Sequence, residues 1–288
     1  MKTLYISDLD GTLLNSKKEI TKYTAQVLND CIEKGMLFSV ATARMAYACD
    51  YRLADIKLSA PGILTNGVFL YDFVEKRYVS AEVIDQHAIP LVLDAFKRNG
   101  ASCFLYTFDN RQISLYFDDP ALTQQTQYYS ERALKSCAEV KLLGDLQREI
   151  PAHAQVVYMA LTGTSDELLP ICEDLKQIAA VSFAYYLNIY NGLYCIEVFS
   201  CNASKKKALQ KLKGLMHYDE LVVFGDNLND LSMMEIADRS YAPANALDIV
   251  KEKVTSVLDD CDNDGVAKFL AQEWASKVHA KDIRSILQ

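Results

Sequence analysis

Apolar residues in this chain fall into short bursts separated by polar turns, and the spacing within each burst predicts its structure. Thr3–Ser7 is a β-rich run followed at once by Asp8-Leu9-Asp10-Gly11, the pattern of a buried strand that ends in a functional loop. Lys22–Lys34 carries Val27, Leu28, Cys31 and Ile32 at helical spacing, with Gly35 where a helix-terminating glycine belongs. Leu37–Ala41 predicts a second strand, Arg44–Leu53 a second helix, and Gly62–Leu64 a third strand running into the turn Thr65-Asn66-Gly67. Strand, helix, strand, helix, strand is the signature of a parallel sheet with right-handed crossovers.

The texture changes near Val83. Helical segments at Ala88–Arg98, Ala121–Ser136 and Asp166–Ile178 alternate with β-rich runs at Cys103–Thr107, Gln112–Phe117, Val156–Leu161, Val181–Tyr186 and Leu193–Phe199. The turns Phe108-Asp109-Asn110 and Asn191-Gly192 predict antiparallel pairing, hence an α+β module. Tyrosines gather here, at Tyr116, Tyr128, Tyr129, Tyr158, Tyr185, Tyr186, Tyr190 and Tyr194; most fit half-buried strand positions, with one or two available to line a cleft. Helix Lys206–Lys213, strand Leu221–Phe224, helix Asn229–Ile236 and a helical tail then resume the first texture. The middle therefore reads as an insertion, residues 84–191, into a domain made of 1–83 and 192–288.

Composition narrows the function classes. The 288 residues suit two domains and a sizeable core, and 50% hydrophobic with 24% charged residues excludes wholesale disorder. A net charge of −8 argues against a nucleic-acid partner, since Lys205-Lys206-Lys207 is too short a basic run to neutralise phosphates. The eight cysteines form no CxxC pair, Cys195 and Cys201 being the closest, so they read as reduced thiols. Asp8 and Asp10 interrupt the N-terminal apolar stretch, unlike a signal peptide, and no apolar run approaches the ~20 residues of a membrane span. A cytoplasmic location with no membrane partner is expected.

Three strand ends finish in polar residues: Ser7-Asp8-Leu9-Asp10-Gly11-Thr12, Ala41-Thr42-Ala43-Arg44 and Gly225-Asp226-Asn227-Leu228-Asn229-Asp230. Ligands of open α/β sheets bind outside the carboxyl ends of the strands, so these loops are expected to converge. Asp226, Asn229 and Asp230 stand at i, i+3 and i+4, together near a helix start. Four carboxylates at one site repel unless a cation neutralises them, and hard oxygen ligands favour Mg2+.

Asp8-Leu9-Asp10-Gly11-Thr12, Thr42, Ser204-Lys205 and Gly225-Asp226-x-x-Asn229-Asp230 resemble the four motifs of the haloacid dehalogenase (HAD) superfamily. Thr65-Asn66-Gly67, Asn245-Ala246 and Asn263-x-Gly265 are similar to its Cof-type subfamily. The resemblance implies an α/β fold, with a Rossmann-like parallel-sheet core and an inserted α+β cap whose hinge closure excludes water. It implies a Mg2+-dependent phosphatase of a small phosphorylated metabolite. Sugar phosphates come ahead of pyridoxal phosphate or a flavin mononucleotide-type ligand, and the protein would be a monomer or homodimer. Asp8 would be the nucleophile that forms an aspartyl-phosphate, and Asp10 the general acid and base, its pKa raised by neighbouring carboxylates. Asp8, the Asp10 carbonyl and Asp226 would hold Mg2+, with Asp230 as ligand or support. Leu9, Thr42, Ala43, Arg44, Asn66, Lys205 and Asn229 would bind phosphate or substrate, with Asn229 alternatively orienting Lys205. Ala43, Lys206 and Pro243-Ala244 depart from the residues usual in the family at their positions.

Blander readings stand beside each of these. Asp-x-Asp-Gly alone is a common turn, Thr42 could cap a helix, and Lys205, Lys206 and Lys207 are separated only by register after Leu193–Phe199. Arg44 fits either a surface charge or a substrate contact. Asp260-x-Asp262-x-Asp264-Gly265 opens like a calcium loop, but the twelfth position is Ala271 rather than Glu. No glycine-rich nucleotide motif occurs, and His87, His153, His217 and His279 are scattered. Trp274 reads as packing. The rival functions are a phosphomutase or phosphotransferase of the same fold and a phospho-accepting regulator without turnover.

Overall fold

In the computed structural model Thr3–Ser7 is a fully buried strand; the structure describes residues 2–109, 112–125, 136–151, 153–188 and 192–286. It pairs in parallel with Leu37–Val40 on one side and Glu220–Phe224 on the other. Arg239–Pro243 and then Ser256–Leu258 extend the sheet, also in parallel, to five strands. Strands covered on both faces must be apolar throughout, which is why the first of them showed as an unbroken run. On one face Leu4, Ile6 and Val223 pack with Ala208, Leu209 and Leu212 of helix Lys205–Leu215. On the other, Phe224 and Tyr241 stack, and Phe269 of the terminal helix Gly265–Ile286 meets Phe224 edge-on and Tyr241 at a tilt.

The helix predicted at Lys22–Lys34 spans Lys22–Glu33. Thr21 caps its start and Gly35 follows its end at a φ of +95°. Three predictions in this part of the chain need correcting. Gly62–Leu64 does not extend the parallel sheet: it touches it through one bridge, Ala41 to Ile63, and opens a small antiparallel sheet with Phe69–Asp72 and Arg77–Ala81. The helix expected over Arg44–Leu53 is only Ala46–Cys49, because the Arg44 carbonyl is taken by the N–H of Thr65. The supposed helical tail contains two strands, Arg239–Pro243 and Ser256–Leu258, too short and polar to read as apolar runs.

The chain divides at Val79/Ser80 and Ala203/Ser204, so the expected limits of 84 and 191 move outward on both sides. The reason at the second boundary is pairing. Tyr194–Ser200 lies between Val181–Leu187 and Gln155–Gly163, and therefore belongs to the inserted unit. That unit is a six-stranded sheet completed by Phe104–Phe108, Ile113–Phe117 and Cys137–Leu142. Its pairings are antiparallel except the last, which is parallel. Cys137–Leu142 escaped prediction because it is a largely exposed edge strand of mixed polarity. Helices Ala88–Arg98 and Ser165–Leu175 bury Val92, Phe96, Leu168 and Ile171. Tyr106 and Tyr158 form a buried edge-to-face pair, and Tyr185 stacks on Tyr194. Tyr128, Tyr129, Tyr190, Asn110, Asn191 and most of the segment expected as helix Ala121–Ser136 lie outside the described residues.

The calcium-like loop has a structural use instead. Asp260 caps a short turn, Asp262 accepts the Ser16 N–H at 2.7 Å, and Asp264 accepts the hydroxyls of Thr21 and Thr24 at 2.6 and 2.8 Å. These bonds fasten the loop to the start of helix Lys22–Glu33. Among the described residues no helix is long and apolar enough to cross a membrane.

Candidate active site

The first strand delivers Asp8 to its carboxyl end, where the Asp8 N–H donates to the Phe224 carbonyl and the side chain is 6% exposed. The chain then turns tightly, with the N–H groups of Thr12, Leu13 and Leu14 all donating to the Leu9 carbonyl. Gly11 makes the turn at a φ of +78°, and a Cβ there would stand 2.6 Å from Asp226 Oδ2. Thr12 completes the contact by donating its hydroxyl to Asp226 Oδ1 at 2.9 Å. Two loops more than two hundred residues apart in sequence are thus pressed together, as the strand-end argument expected.

Lys205 opens helix Lys205–Leu215 after the cap Ser204, and it is buried. Its Nζ lies 2.6 Å from Asp8 Oδ1 and 2.6 Å from Asp230 Oδ1. Lys206 instead pairs with Glu235 and Lys207 is exposed, so of the three lysines it is Lys205 that meets the carboxylates. Asp230 is also buried, and its second oxygen accepts the N–H groups of Asp226 and Asn227 at 2.9 and 3.0 Å. Asp230 therefore orients both Lys205 and the Asp226 loop. Asn229 does not touch Lys205; it donates to Asn66 Oδ1 at 3.1 Å.

Carboxylate oxygens of Asp8, Asp226 and Asp230 lie within 4.8 Å of one another. Burial pushes the Asp8 carboxyl up to about 8 against the pull of Lys205, with Asp230 and Asp226 adding to the rise. Asp226 rises to about 6 through burial and the Asp230 charge. Burial disfavours the Lys205 ammonium, yet Asp230 and Asp8 outweigh it and hold its pKa above the ordinary value. Two buried carboxylates and the half-buried Asp226 against one ammonium leave negative charge in excess. Asp8 Oδ2 and Asp226 Oδ2 accept no hydrogen bond among the described residues. Hard, uncommitted oxygens in a negative pocket fit a small divalent cation.

Asp10 stands apart from that cluster. Its carboxylate takes a two-pronged contact from Arg44, Nε to Oδ2 at 2.6 Å and Nη2 to Oδ1 at 2.7 Å, and Lys18 Nζ lies 3.1 Å from Oδ1. Burial opposes its charge, but the Arg44 and Lys18 contacts prevail and lower its pKa. The rise expected from neighbouring carboxylates is therefore corrected: Asp10 faces cations. Arg44, left open between surface and substrate contact, is half-buried against Asp10. Lys18 was missed, because nothing in the run Asn15-Ser16-Lys17-Lys18-Glu19 separates it from its neighbour.

Thr42 is buried, donates its N–H to Ile63 and accepts the Arg44 N–H at 3.2 Å. Helix Ala46–Cys49 takes no side-chain cap, so Thr42 is not capping it. Ala43 is exposed and avoids the left-handed region, so its Cβ is no obstacle where glycine is usual. The N–H groups of Leu9 and Ala43 donate no hydrogen bond among the described residues. Thr65, Asn66 and Gly67 all adopt positive φ, and a Cβ on Gly67 would overlap the Ser204 backbone. That turn fixes the approach to Lys205 and holds Asn66 against Asn229. Asn245 spans Gly11 and Cys261, donating to the first and accepting from the second.

A family profile for haloacid dehalogenase-like hydrolases matches residues 5–270. The chain belongs to this family. Among relatives of this HAD-like hydrolase, a 5-amino-6-(5-phospho-D-ribitylamino)uracil phosphatase of Bacillus subtilis is 27% identical, covering 94% of this chain and 98% of that protein. A pyridoxal phosphate phosphatase of Escherichia coli is 25% identical over 91% and 95% of the two chains. A haloacid dehalogenase-like hydrolase from Bacteroides thetaiotaomicron shares the fold, with a TM-score of 0.71 at 22% identity over 94% and 99% of the chains. The HAD-like enzyme is a phosphoric monoester hydrolase.

Proposed function

We propose that this HAD-like enzyme is a Mg2+-dependent phosphatase of a small cytoplasmic metabolite carrying a phosphorylated hydroxymethyl or sugar-type group, working through phosphorylated Asp8. The observation that carries the reading is the placement of Lys205 between Asp8 and Asp230 beside Asp226, with Asp10 held separately by Arg44. All of these residues lie in the unit of residues 1–79 and 204–288, so we assign catalysis to it and the choice of leaving group to the inserted unit.

A carboxylate oxygen of Asp8 attacks phosphorus while the bond to the leaving oxygen breaks. Lys205 holds Asp8 Oδ1 and adds positive charge beside the transferring group. The N–H groups of Leu9 and Ala43 and the hydroxyl of Thr42 supply neutral donors for phosphoryl oxygens. Asp10 gives a proton to the leaving oxygen and takes one back from the water that hydrolyses phosphorylated Asp8. Asp8 and Asp226 would hold Mg2+, with Asp230 bracing Lys205 and the Asp226 loop. A divalent cation held there would supply positive charge to offset the carboxylates and the charge developing on the phosphoryl oxygens. Phosphate-monoester hydrolysis needs accelerations of up to ~10²¹, and a site built almost wholly of fixed charges is the form such catalysis takes.

The test is phosphate release across a panel of phosphorylated metabolites, with Mg2+ or with EDTA, for wild type and Asp8→Asn. Release that requires the metal and disappears in Asp8→Asn supports the reading. Release that survives the substitution overturns the assigned nucleophile. Transfer of labelled phosphate to an acceptor hydroxyl without free phosphate would make the enzyme a phosphotransferase.

A further inference from the structure

Lys18 sits in the left-handed region at a φ of 64°, a conformation that glycine, asparagine and aspartate adopt far more readily than lysine. The turn around it is closed on several sides. The Lys18 N–H donates to the Asn15 carbonyl and the Asn15 N–H to the Glu19 carbonyl. Asn15 Oδ1 accepts from the N–H groups of Lys17 and Glu19, and Asp262 takes the Ser16 N–H. Lys17 is exposed, whereas Lys18 is half-buried and directed to Asp10. The pinned turn fixes the Lys18 backbone, and from there its ammonium reaches Asp10 Oδ1 at 3.1 Å.

The two oxygens of Asp10 are held unequally. Among the described residues Oδ1 meets both Arg44 Nη2 and Lys18 Nζ, while Oδ2 meets Arg44 Nε alone. A carboxylate gripped at both oxygens by a guanidinium has no oxygen left to carry the catalytic proton. With Arg44 engaged on a substrate instead, Oδ2 would be free and Oδ1 would still be held by Lys18. We propose that Lys18 is a positioning residue for the general acid: it keeps Asp10 Oδ1 fixed so that Oδ2 carries the proton toward the leaving oxygen. As the bond from phosphorus to that oxygen breaks, the Oδ2 proton passes to it. An alcohol departs, and the Asp10 carboxylate stays behind as an anion against Lys18. This inference rests on the phosphatase reading above.

A group that acts only through proton donation matters for a poor leaving group and little for a good one. The experiment therefore measures kcat/KM for an alkyl phosphate substrate and for p-nitrophenyl phosphate, in wild type, Lys18→Met, Lys18→Gly and Lys18→Arg. Lys18→Gly suits the left-handed backbone, so it removes the ammonium without straining the turn, and its denaturation midpoint should match or exceed wild type. The expected result is a loss of about tenfold or more on the alkyl ester in Lys18→Met and Lys18→Gly, less than about threefold on p-nitrophenyl phosphate, and substantial recovery in Lys18→Arg. Equal losses on both substrates, a rise in KM alone, or no loss would overturn the proposal while leaving the phosphatase reading intact. A wild-type enzyme that releases phosphate from neither ester, nor from any other metabolite, would instead bring down that reading and this inference together.

Discussion

The Asp230 carboxylate and the Lys205 ammonium meet at 2.6 Å with neither side chain exposed to solvent. Without Asp230 the ammonium keeps Asp8 as a partner, but the buried N–H groups of Asp226 and Asn227 lose their acceptor. Asp230→Ala is therefore expected to destabilise the fold by ~1–3 kcal/mol in urea unfolding and to abolish turnover. Asp230→Asn should recover part of the stability and little of the activity. An Asp230→Ala protein as stable as wild type would contradict this account.

Two glycines separate backbone strain from steric conflict. Gly35 has a φ of +95° with nothing within 4 Å of where a Cβ would sit. Gly35→Ala should cost about 1 kcal/mol, from the left-handed backbone alone, and leave kcat/KM unchanged. Gly67 has a φ of +103°, and its Cβ would overlap the Ser204 backbone. Gly67→Ala should cost about 3 kcal/mol and displace Lys205, lowering activity even in the folded fraction. Equal effects of the two substitutions on activity would show that the turn does not position Lys205.

What the sequence revealed depended on how each element is covered. Thr3–Ser7 was legible because both of its faces are buried, whereas Ser256–Leu258 and Cys137–Leu142 are short or exposed edge strands whose mixed polarity resembles loop. The nucleophile loop and the Asp226 loop were legible because they end predicted strands. Lys205 could be chosen over Lys206 only by register, and its burial between two carboxylates settles the choice. Lys18 was not legible, because its contact with Asp10 depends on a left-handed turn that neither propensity nor periodicity encodes. The electrostatics of Asp10 were misjudged for a related reason: sequence proximity to Asp8 suggested a crowd of carboxylates, and the folded chain turns it toward Arg44.

Asp8 and Asp226 make stability depend on pH in the metal-free enzyme. Their folded pKa values, about 8 and about 6, exceed the ordinary 3.8 of the unfolded carboxyl. Across that window the folded chain binds more protons than the unfolded chain, so stability falls as pH rises from 3.8 toward 8. A divalent cation needs these groups ionised, so its effect has the opposite trend. In EDTA the Tm should be higher near pH 5.5 than near pH 8, and the increment given by Mg2+ should be small at the first and large at the second. An increment independent of pH would show that the cation binds elsewhere.

Arg239 and Glu273 provide a stability handle remote from the chemistry. Arg239 donates Nη1 and Nη2 to the two Glu273 oxygens at 2.9 and 2.7 Å and Nε to Glu220 at 2.8 Å; the Tyr5 hydroxyl also donates to Glu273, at 2.6 Å. This network ties the terminal helix to the strands Thr3–Ser7, Glu220–Phe224 and Arg239–Pro243. Burial and the bond to Glu273 hold the Tyr5 phenol well above its ordinary pKa, so Tyr5 stays a donor throughout the working range. Glu273→Ala removes one acceptor from the Tyr5 hydroxyl and two hydrogen bonds from the Arg239 guanidinium, and should cost about 2–3 kcal/mol in urea unfolding. Glu273 bonds to Tyr5 and Arg239, neither of which is a candidate site residue, so kcat/KM measured well below the lowered unfolding midpoint should match wild type. A loss of activity in a fully folded Glu273→Ala protein would mean that the terminal helix reaches the catalytic loops through the sheet it packs against.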